Sequence, residues 1–154
     1  MFLYIYIYIY YLFTYFFSIP FSIDCILLCY LLVFSSSVFL MGALHTGRII
    51  LFAGDFNQVF TEQDSSSRKR KPNVPRELLD FLSLNDLTDV WRLMHPKDKD
   101  YTYSSYAQDS YSRLDYIFVS KAGVEDVTTS KIQDIVISDH AAVTCTMCPP
   151  TNKV

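Results

Sequence analysis

The sequence predicts a mixed α/β (α+β) domain that consists mainly of sheet. Short apolar runs that end at glycine or polar turns recur after residue 47, and such runs are typical of strands. One segment, 75–84, instead has the spacing of an amphipathic helix. Charged residues reach ordinary globular density only after Gly47. We therefore predict a domain over 46–150, preceded by a separate apolar, low-complexity segment over 1–45.

The apolar segment has two interpretations. From Met1 to Gly47 there is no Lys or Arg, and Asp24 is the only carboxylate. Residues 2–17 and 25–44 approach the length of a bilayer span, so a membrane partner through residues 2–44 is one interpretation. However, the alternation of Tyr and Ile is what a TA dinucleotide repeat encodes, and its period of two favours a strand. A translation artefact would leave the protein in the nucleus or cytoplasm, whereas insertion would place it at a membrane.

The first half of the domain has one clear strand and one clear helix. Residues 48–53, before Gly54, predict a strand buried on both faces. The polar stretch 61–75 predicts a loop. Pro75 at the first helical position and Glu77 in the first turn predict a helix over 75–84. Residues 87–94 form a short element whose Trp91 we place in the core.

The second half is predicted to be sheet. Residues 101–104 and 113–119 have strand patterns, and we expect them to be neighbouring strands joined by the polar connection 105–112. The apolar stretch 134–137 leads into residues 138–140, and 141–147 predicts a final strand.

The net charge and the cysteine spacing argue against two kinds of site, a globally basic nucleic-acid surface and a zinc site. A net charge of -3 gives no global positive field for a nucleic acid. The basic run 68–71 is interpreted first as a solvated loop, and second as a local polyanion site. The cysteines form two close pairs without a second pair that could complete a zinc site, so we predict free thiols in a reducing compartment at Cys25, Cys29, Cys145 and Cys148.

Three polar clusters lie at predicted strand ends or in the adjoining loops, and together they suit phosphodiester hydrolysis. A carboxylate beside a hard divalent cation can hold or deprotonate water, and an imidazolium can stabilise charge on a phosphoryl oxygen. A second carboxylate can orient that imidazole and keep it charged. The clusters are Asp55 with Asn57, Ser112 with Asp115, and Asp139 with His140.

Each cluster also has a purely structural interpretation. Asp55 and Asn57 would shape a turn, Asp115 would be the buried partner of Arg113, and Asp139 would cap a helix. The ordered combination of all three clusters favours the functional interpretation.

Taken in order, these clusters resemble the last three signature motifs of the endonuclease/exonuclease/phosphatase superfamily. The motifs are Gly-Asp-Phe-Asn at 54–57, Ser-Arg-Leu-Asp-Tyr-Ile-Phe at 112–118 and Ser-Asp-His at 138–140. The resemblance covers about residues 49–147. Asp-Val-Trp-Arg at 89–92, His-Pro at 95–96 and the residues at 99–104 and 111–116 are most similar to the endonucleases of LINE-type retrotransposons.

The resemblance implies a fold and a role for each residue. The fold would be the C-terminal half of a four-layer α/β sandwich of the DNase I-like type. The reaction would be Mg²⁺-assisted nicking of one strand of DNA, with Mn²⁺ as an alternative ion. Asp55 would activate water and Asn57 would bind the scissile phosphate. Asp115 would orient His140, which would donate to a phosphoryl oxygen. Ser112 would touch phosphate, and Asp139 would lie near the metal, directly or through water.

The first half of the family's motifs is missing from the sequence. That half normally supplies an early Asn and the main glutamate ligand of the metal, and there is no Glu before residue 48. We therefore expect a truncated domain that is inactive alone, with an exposed apolar inner sheet face. The alternatives are a membrane-anchored phosphodiesterase or phosphatase of the same superfamily, and a non-catalytic fragment.

Overall fold

Antiparallel sheet dominates the computed structural model, which describes residues 3–7, 26–34, 37–46, 49–136 and 138–148. The helices are α1 (Arg76–Leu84), α2 (Val90–Met94) and α3 (Lys121–Val124), with single 3-10 turns at Glu62–Asp64 and Tyr106–Gln108. The described strands are β1 (Leu3–Ile7), β2 (Ile26–Phe34), β3 (Ser37–Thr46), β4 (Ile49–Asp55), β5 (Leu87–Asp89), β6 (Tyr103–Ser105), β7 (Ser110–Ser112), β8 (Asp115–Ser120), β9 (Val127–Ile132) and β10 (Val143–Met147).

These strands form three sheets. The largest has five strands in the order β2-β3-β4-β8-β5, and every neighbouring pair in it is antiparallel. A second sheet has the order β1-β10-β9, and β6 pairs with β7 in a short hairpin. The pairing of β4 with β8 sets Asp55 directly opposite Asp115.

The side chains of β4 and β8 alternate between the two faces of the five-stranded sheet, and each face has its own hydrophobic core. Since successive strand residues point to opposite faces, Ala53 and Ile117 face one way, while Phe52 and Phe118 face the other. The first face packs against β10 through Val143, Cys145 and Met147. The second face packs against Leu78 and Leu82 of α1. The result is a helix layer, a sheet and a second sheet, in that order.

This packing corrects one expectation. The inner face of the sheet was predicted to be an exposed apolar patch, but Leu51, Ala53, Ile117 and Val119 are all buried. The final strand, β10, covers these residues, because its apolar side chains pack against them. Burial of this area removes the apolar surface from water, which is the main favourable contribution to folding.

Several predicted elements are confirmed. The strand predicted over 48–53 is β4, and it is buried from Leu51 to Gly54. The helix predicted over 75–84 is α1, which begins one residue later because Pro75 is its N-cap. Trp91 is buried, as expected. The final strand is also present, although β10 begins at Val143.

The predicted pairing of residues 101–104 with residues 113–119 is wrong. The polar connection contains a strand of its own, β7, and this strand pairs with β6. The partners of β8 are instead β4 and β5. Period-two patterning identifies strands but does not specify which strands are neighbours. Helix α3 and strand β9 were not predicted, because their sequences carry few apolar residues.

The described part of the apolar segment is strand rather than helix. Residues 3–7 form β1, which agrees with the period-two pattern, and the second apolar stretch forms β2 and β3. Among the residues that the structure describes, no helix has the length and apolar character needed to cross a membrane. Residues 8–25, which carry most of the first predicted span, lie outside the described residues.

The prediction of free thiols is confirmed where the structure describes it, and the reducing compartment stays a prediction. Cys145 and Cys148 are both free thiols. Burial raises the pKa of Cys145 to about 11, so this thiol is protonated and inert at neutral pH. Cys25 and the side chain of Cys29 lie outside the described residues.

Candidate functional site

Asp55 and Asn57 form a turn at the end of β4. The backbone N–H of Asn57 donates to Oδ1 of Asp55 at 2.8 Å. Asn57 has a φ of 53°, a left-handed conformation that asparagine tolerates better than most residues. The turn interpretation is therefore correct, but it does not exclude function, because both side chains line the same cleft.

Asp115 and His140 form a hydrogen-bonded pair. Nδ1 of His140 lies 2.9 Å from Oδ2 of Asp115, and Asp115 is only 1% exposed. The hydroxyl of Ser138 accepts from the backbone N–H of His140 and donates to its carbonyl, each at 2.9 Å. The ring of His140 also lies against Tyr103, with 4.9 Å between ring centroids. Asp115 and Tyr103 thus hold the imidazole, and Ser138 fixes the backbone of His140.

Thr102 connects the two halves of this pair. Its hydroxyl oxygen accepts from the backbone N–H groups of Leu114 and Asp115, at 2.9 and 3.1 Å. Its carbonyl accepts from the N–H of Ala141 at 2.7 Å. Because Thr102 is fully buried, these bonds fix the backbone on both sides of the pair. We missed this residue at the sequence level, since a lone threonine gives no signal.

The site carries an excess of negative charge. Burial raises the pKa of Asp55, and the neighbouring Asp115 raises it further, against the opposing effects of the Asn57 N–H, His140 and Arg70. Burial by itself would lower the pKa of His140. The hydrogen bond and charge of Asp115, followed by the charges of Asp55 and Asp139, outweigh the effect of burial. The pKa of His140 is therefore raised. His140 is therefore disposed to hold a proton.

A polar cleft of about 330 Å³ opens above these residues and is lined by Asp55, Asn57, Arg70, Tyr103, Ser105, Gln108, Leu114, Asp139 and His140. Ligand atoms of Asp55, Asp115 and His140 all lie within 4.8 Å of one another. Oδ1 of Asp115 is buried and has no hydrogen-bond partner in the part of the chain that the structure describes. Mg²⁺ prefers carboxylate oxygens and is commonly held by one or two of them, so the carboxylates of Asp55 and Asp139, which line the cleft, fit a divalent cation.

Five of the six predicted site residues come together, and the sixth lies to one side. Asp55, Asn57, Asp139 and His140 line the cleft, and Asp115 lies beneath His140. Ser112 is 1% exposed, and its hydroxyl accepts from Nη1 of Arg70 at 3.3 Å. Its hydroxyl therefore contacts a cleft residue instead of opening into the cleft.

Asp115 is not the ion-pair partner of Arg113, so that structural alternative is wrong. Arg113 binds Asp64 at 2.8 Å and Asp89 at 2.6 Å, and its guanidinium stacks on Trp91 and Tyr116. A second arginine, Arg92, also binds Asp64, at 2.7 Å. The Asp-Val-Trp-Arg motif at 89–92 thus contributes to a buried ion network beside the site.

Comparison with known proteins agrees with this geometry. Residues 32–140 match the model of the Endonuclease/Exonuclease/phosphatase family. The chain is 27% identical over 116 residues to the Transposon TX1 uncharacterized 149 kDa protein of Xenopus laevis. Among solved structures, it is similar to the AP endonuclease LMAP from Leishmania major (20% identity, TM-score 0.56) and to the 3' phosphatase NExo from Neisseria bound to product DNA hairpin (24% identity, TM-score 0.57).

These matches cover most of this chain but only part of each relative. The matched region is 74% of this chain and 9% of the Xenopus protein. The structural matches cover 65% and 66% of this chain, but 35% and 46% of the Leishmania and Neisseria chains. The family model spans more than half of the chain and includes every residue of the candidate site. The chain belongs to the endonuclease/exonuclease/phosphatase family.

Proposed function

We propose that this chain is part of a retrotransposon endonuclease that hydrolyses a phosphodiester bond in one strand of DNA. The observation that carries the proposal is the convergence of Asp55, Asp115 and His140 within 4.8 Å, beside a polar cleft. DNA as substrate is supported by the Neisseria relative, whose structure holds a DNA hairpin product. A retrotransposon origin is supported by the similarity to a transposon protein.

The geometry suggests complementary roles for the two sides of the cleft. Asp55 has a raised pKa, which suits a carboxylate that orients water and accepts its proton. His140, held protonated by Asp115, is positioned to donate to a non-bridging oxygen as charge builds there. Asn57 contributes an exposed amide at the cleft edge for the phosphate.

A divalent cation belongs to this proposal, with Mg²⁺ as the expected ion. Asp55 and Asp139 line the cleft and would hold it together with substrate oxygens and water. When bound, the cation would supply positive charge to the phosphoryl group.

We further propose that the chain does not cleave DNA on its own. Among the described residues that line the cleft there is no glutamate. The cation would therefore be held weakly, and a second segment with the missing carboxylate would be needed for turnover.

A nicking assay on supercoiled plasmid tests both parts of the proposal. The full chain with Mg²⁺ is expected to leave the plasmid intact. A chimera that places the N-terminal half of a family endonuclease before residue 32 is expected to nick it. Asp55→Ala or His140→Ala should abolish that activity, whereas Asp80→Ala, at an exposed aspartate of α1 that does not line the cleft, should not.

The two outcomes that contradict the proposal are distinct. Nicking by the full chain alone, lost in Asp55→Ala, would show that the missing glutamate is dispensable. A folded chimera that fails to nick, or one that nicks equally well without His140, would exclude the assigned site. Sequencing the genomic DNA upstream of codon 32 adds a separate test, since the proposal expects the missing Asn and Glu motifs there.

A further inference from the structure

One basic side chain, that of Arg70, lines the cleft from a loop that lies outside the three motifs. Of the described residues that line the cleft, Arg70 is the only Lys or Arg. It belongs to the basic run 68–71, whose other members, Arg68, Lys69 and Lys71, are exposed, while Arg70 is half-buried. The four cations therefore do not share one environment, and the solvated-loop interpretation fails for Arg70.

The serine run before Arg70 fixes the position of this loop. Ser66 exchanges two hydrogen bonds with Tyr111 of β7, through its own N–H at 2.9 Å and its hydroxyl at 2.8 Å. Ser67 accepts from the N–H of Lys69 through its hydroxyl and from that of Arg70 through its carbonyl, at 3.3 and 3.2 Å. Small hydroxyl side chains stabilise tight turns in this way. The loop is built against β7, so the side chain of Arg70 is delivered to a defined place.

The guanidinium of Arg70 keeps most of its hydrogen-bonding capacity. Nη1 donates to Ser112 at 3.3 Å, and a guanidinium has five N–H donors. Within the described part of the chain, no carboxylate lies within 4.0 Å of it. Its positive charge nevertheless lowers the pKa of Asp55, so it acts on the centre of the site without pairing there.

The excess of negative charge in the cleft suggests a role for Arg70. Without a bound cation, Asp55, Asp115 and Asp139 would repel a phosphodiester, and His140 alone does not offset them. An arginine can bind two phosphate oxygens at once through its planar fork. We infer that Arg70 binds a backbone phosphate of the nucleic acid in the cleft, with Ser112 orienting its guanidinium. This assigns Ser112 an indirect part in phosphate binding, and the inference rests on the proposed function.

The test compares two neighbouring arginines in the full chain. Binding of a fluorescein-labelled DNA duplex is measured by anisotropy across a series of salt concentrations, with Ca²⁺ as the divalent cation so that the result does not depend on whether the chain cleaves. Arg70→Gln should weaken binding about tenfold and reduce the slope of log K against log salt by about 0.9. The matched control Arg68→Gln removes an exposed charge from the same loop and should change affinity by less than about twofold.

Arg70→Lys separates charge from geometry. Lysine keeps the charge but not the fork, so the salt slope should stay unchanged while affinity falls about threefold. Thermal unfolding of each variant identifies any loss of folding. If Arg70→Gln is unfolded, the test rests on Arg70→Lys. Wild-type affinity of Arg70→Lys for the duplex would then overturn the inference.

An independent probe separates this inference from the function on which it rests. Inorganic phosphate, titrated into labelled wild-type protein, should shift the Arg70 Nε–H signal in ¹H–¹⁵N spectra. If the duplex binds and Arg70→Gln matches Arg68→Gln, the inference is wrong and the proposed function stands. If the duplex does not bind but phosphate shifts Arg70, the DNA function fails and the phosphate site stands. A negative result with both probes overturns both.

Discussion

Two polar clusters lie on either side of residues 112–115, and they differ in whether their charges are balanced. In the ion network, Asp64, Asp89, Arg92 and Arg113 balance one another, and Asp64 and Arg113 are almost fully buried. In the candidate site, Asp55, Asp115 and Asp139 outnumber the cations, and part of the group opens into a cleft. The charges of the network cancel one another, although Nε of Arg92 and Nη1 of Arg113 have no hydrogen-bond partner among the described residues. The charges of the candidate site do not cancel among its own residues.

The pKa shifts express the same contrast. Burial would raise the pKa of Asp64, but the charge and hydrogen bond of Arg113, helped by Arg92 and Thr61, lower it. Burial raises the pKa of Asp55, and Asp115 adds to the effect. Ionised Asp64 therefore stabilises the fold, whereas ionised Asp55 costs stability. Perturbed groups of the second kind are typical of functional sites.

The largest effect is expected from breaking the ion network. Arg113→Ala leaves the carboxylates of Asp64 and Asp89 without their shared partner, which should destabilise the protein by about 3 to 5 kcal/mol. The free energy of unfolding from urea denaturation measures this. Arg76→Ala, at an exposed arginine of α1, should change it by less than about 0.5 kcal/mol. A loss below about 1 kcal/mol for Arg113→Ala would mean that the network is dispensable.

A smaller loss is expected where the two clusters join. Thr102→Val preserves the shape of the side chain but leaves the backbone N–H groups of Leu114 and Asp115 without an acceptor. The expected cost is about 1 to 3 kcal/mol. Thr128→Val, at an exposed position of β9, is the control. Equal unfolding free energies for the two variants would show that Thr102 does not hold the site together.

Opposite signs are expected for two aspartates. At neutral pH, Asp55→Asn should stabilise the protein by up to about 1 kcal/mol, because it removes a charge whose pKa is raised while keeping an acceptor for Asn57. Asp64→Asn should destabilise it, since its carboxylate binds two arginines. Thermal unfolding of both variants in one buffer tests this. Destabilisation by both substitutions would remove the distinction between the clusters.

The smallest expected effect is a pH dependence from His140. A raised pKa means that the folded state binds this proton more tightly than the unfolded state does. The stabilisation is fully present below about pH 6.5, the unfolded value, and is lost as pH rises through the folded pKa. The unfolding free energy of the wild type minus that of His140→Gln should therefore decrease with pH from 6 upward. A difference that stays constant or increases would contradict the pairing with Asp115.

Sequence patterns were sufficient for the local elements of the domain. Apolar runs located β4, β8 and β10, and the 3.6-residue spacing located α1 within a residue. The order of three motifs was enough to assign the family, and with it the five residues that converge on the cleft. These signals survive in a single sequence because each depends on neighbours close in the chain.

Only the tertiary structure decided which elements meet. The pairing of β8 with β4 and β5, the contacts of β10 with the five-stranded sheet and the ion pairs of Arg113 all join residues far apart in sequence. The same is true of Arg70, whose run of basic residues gives no sign that one of the four faces the cleft. A sequence specifies which faces are apolar and which groups are charged. The choice among partners depends on packing and desolvation in three dimensions, and that choice separates the charges of the ion network from those of the candidate site.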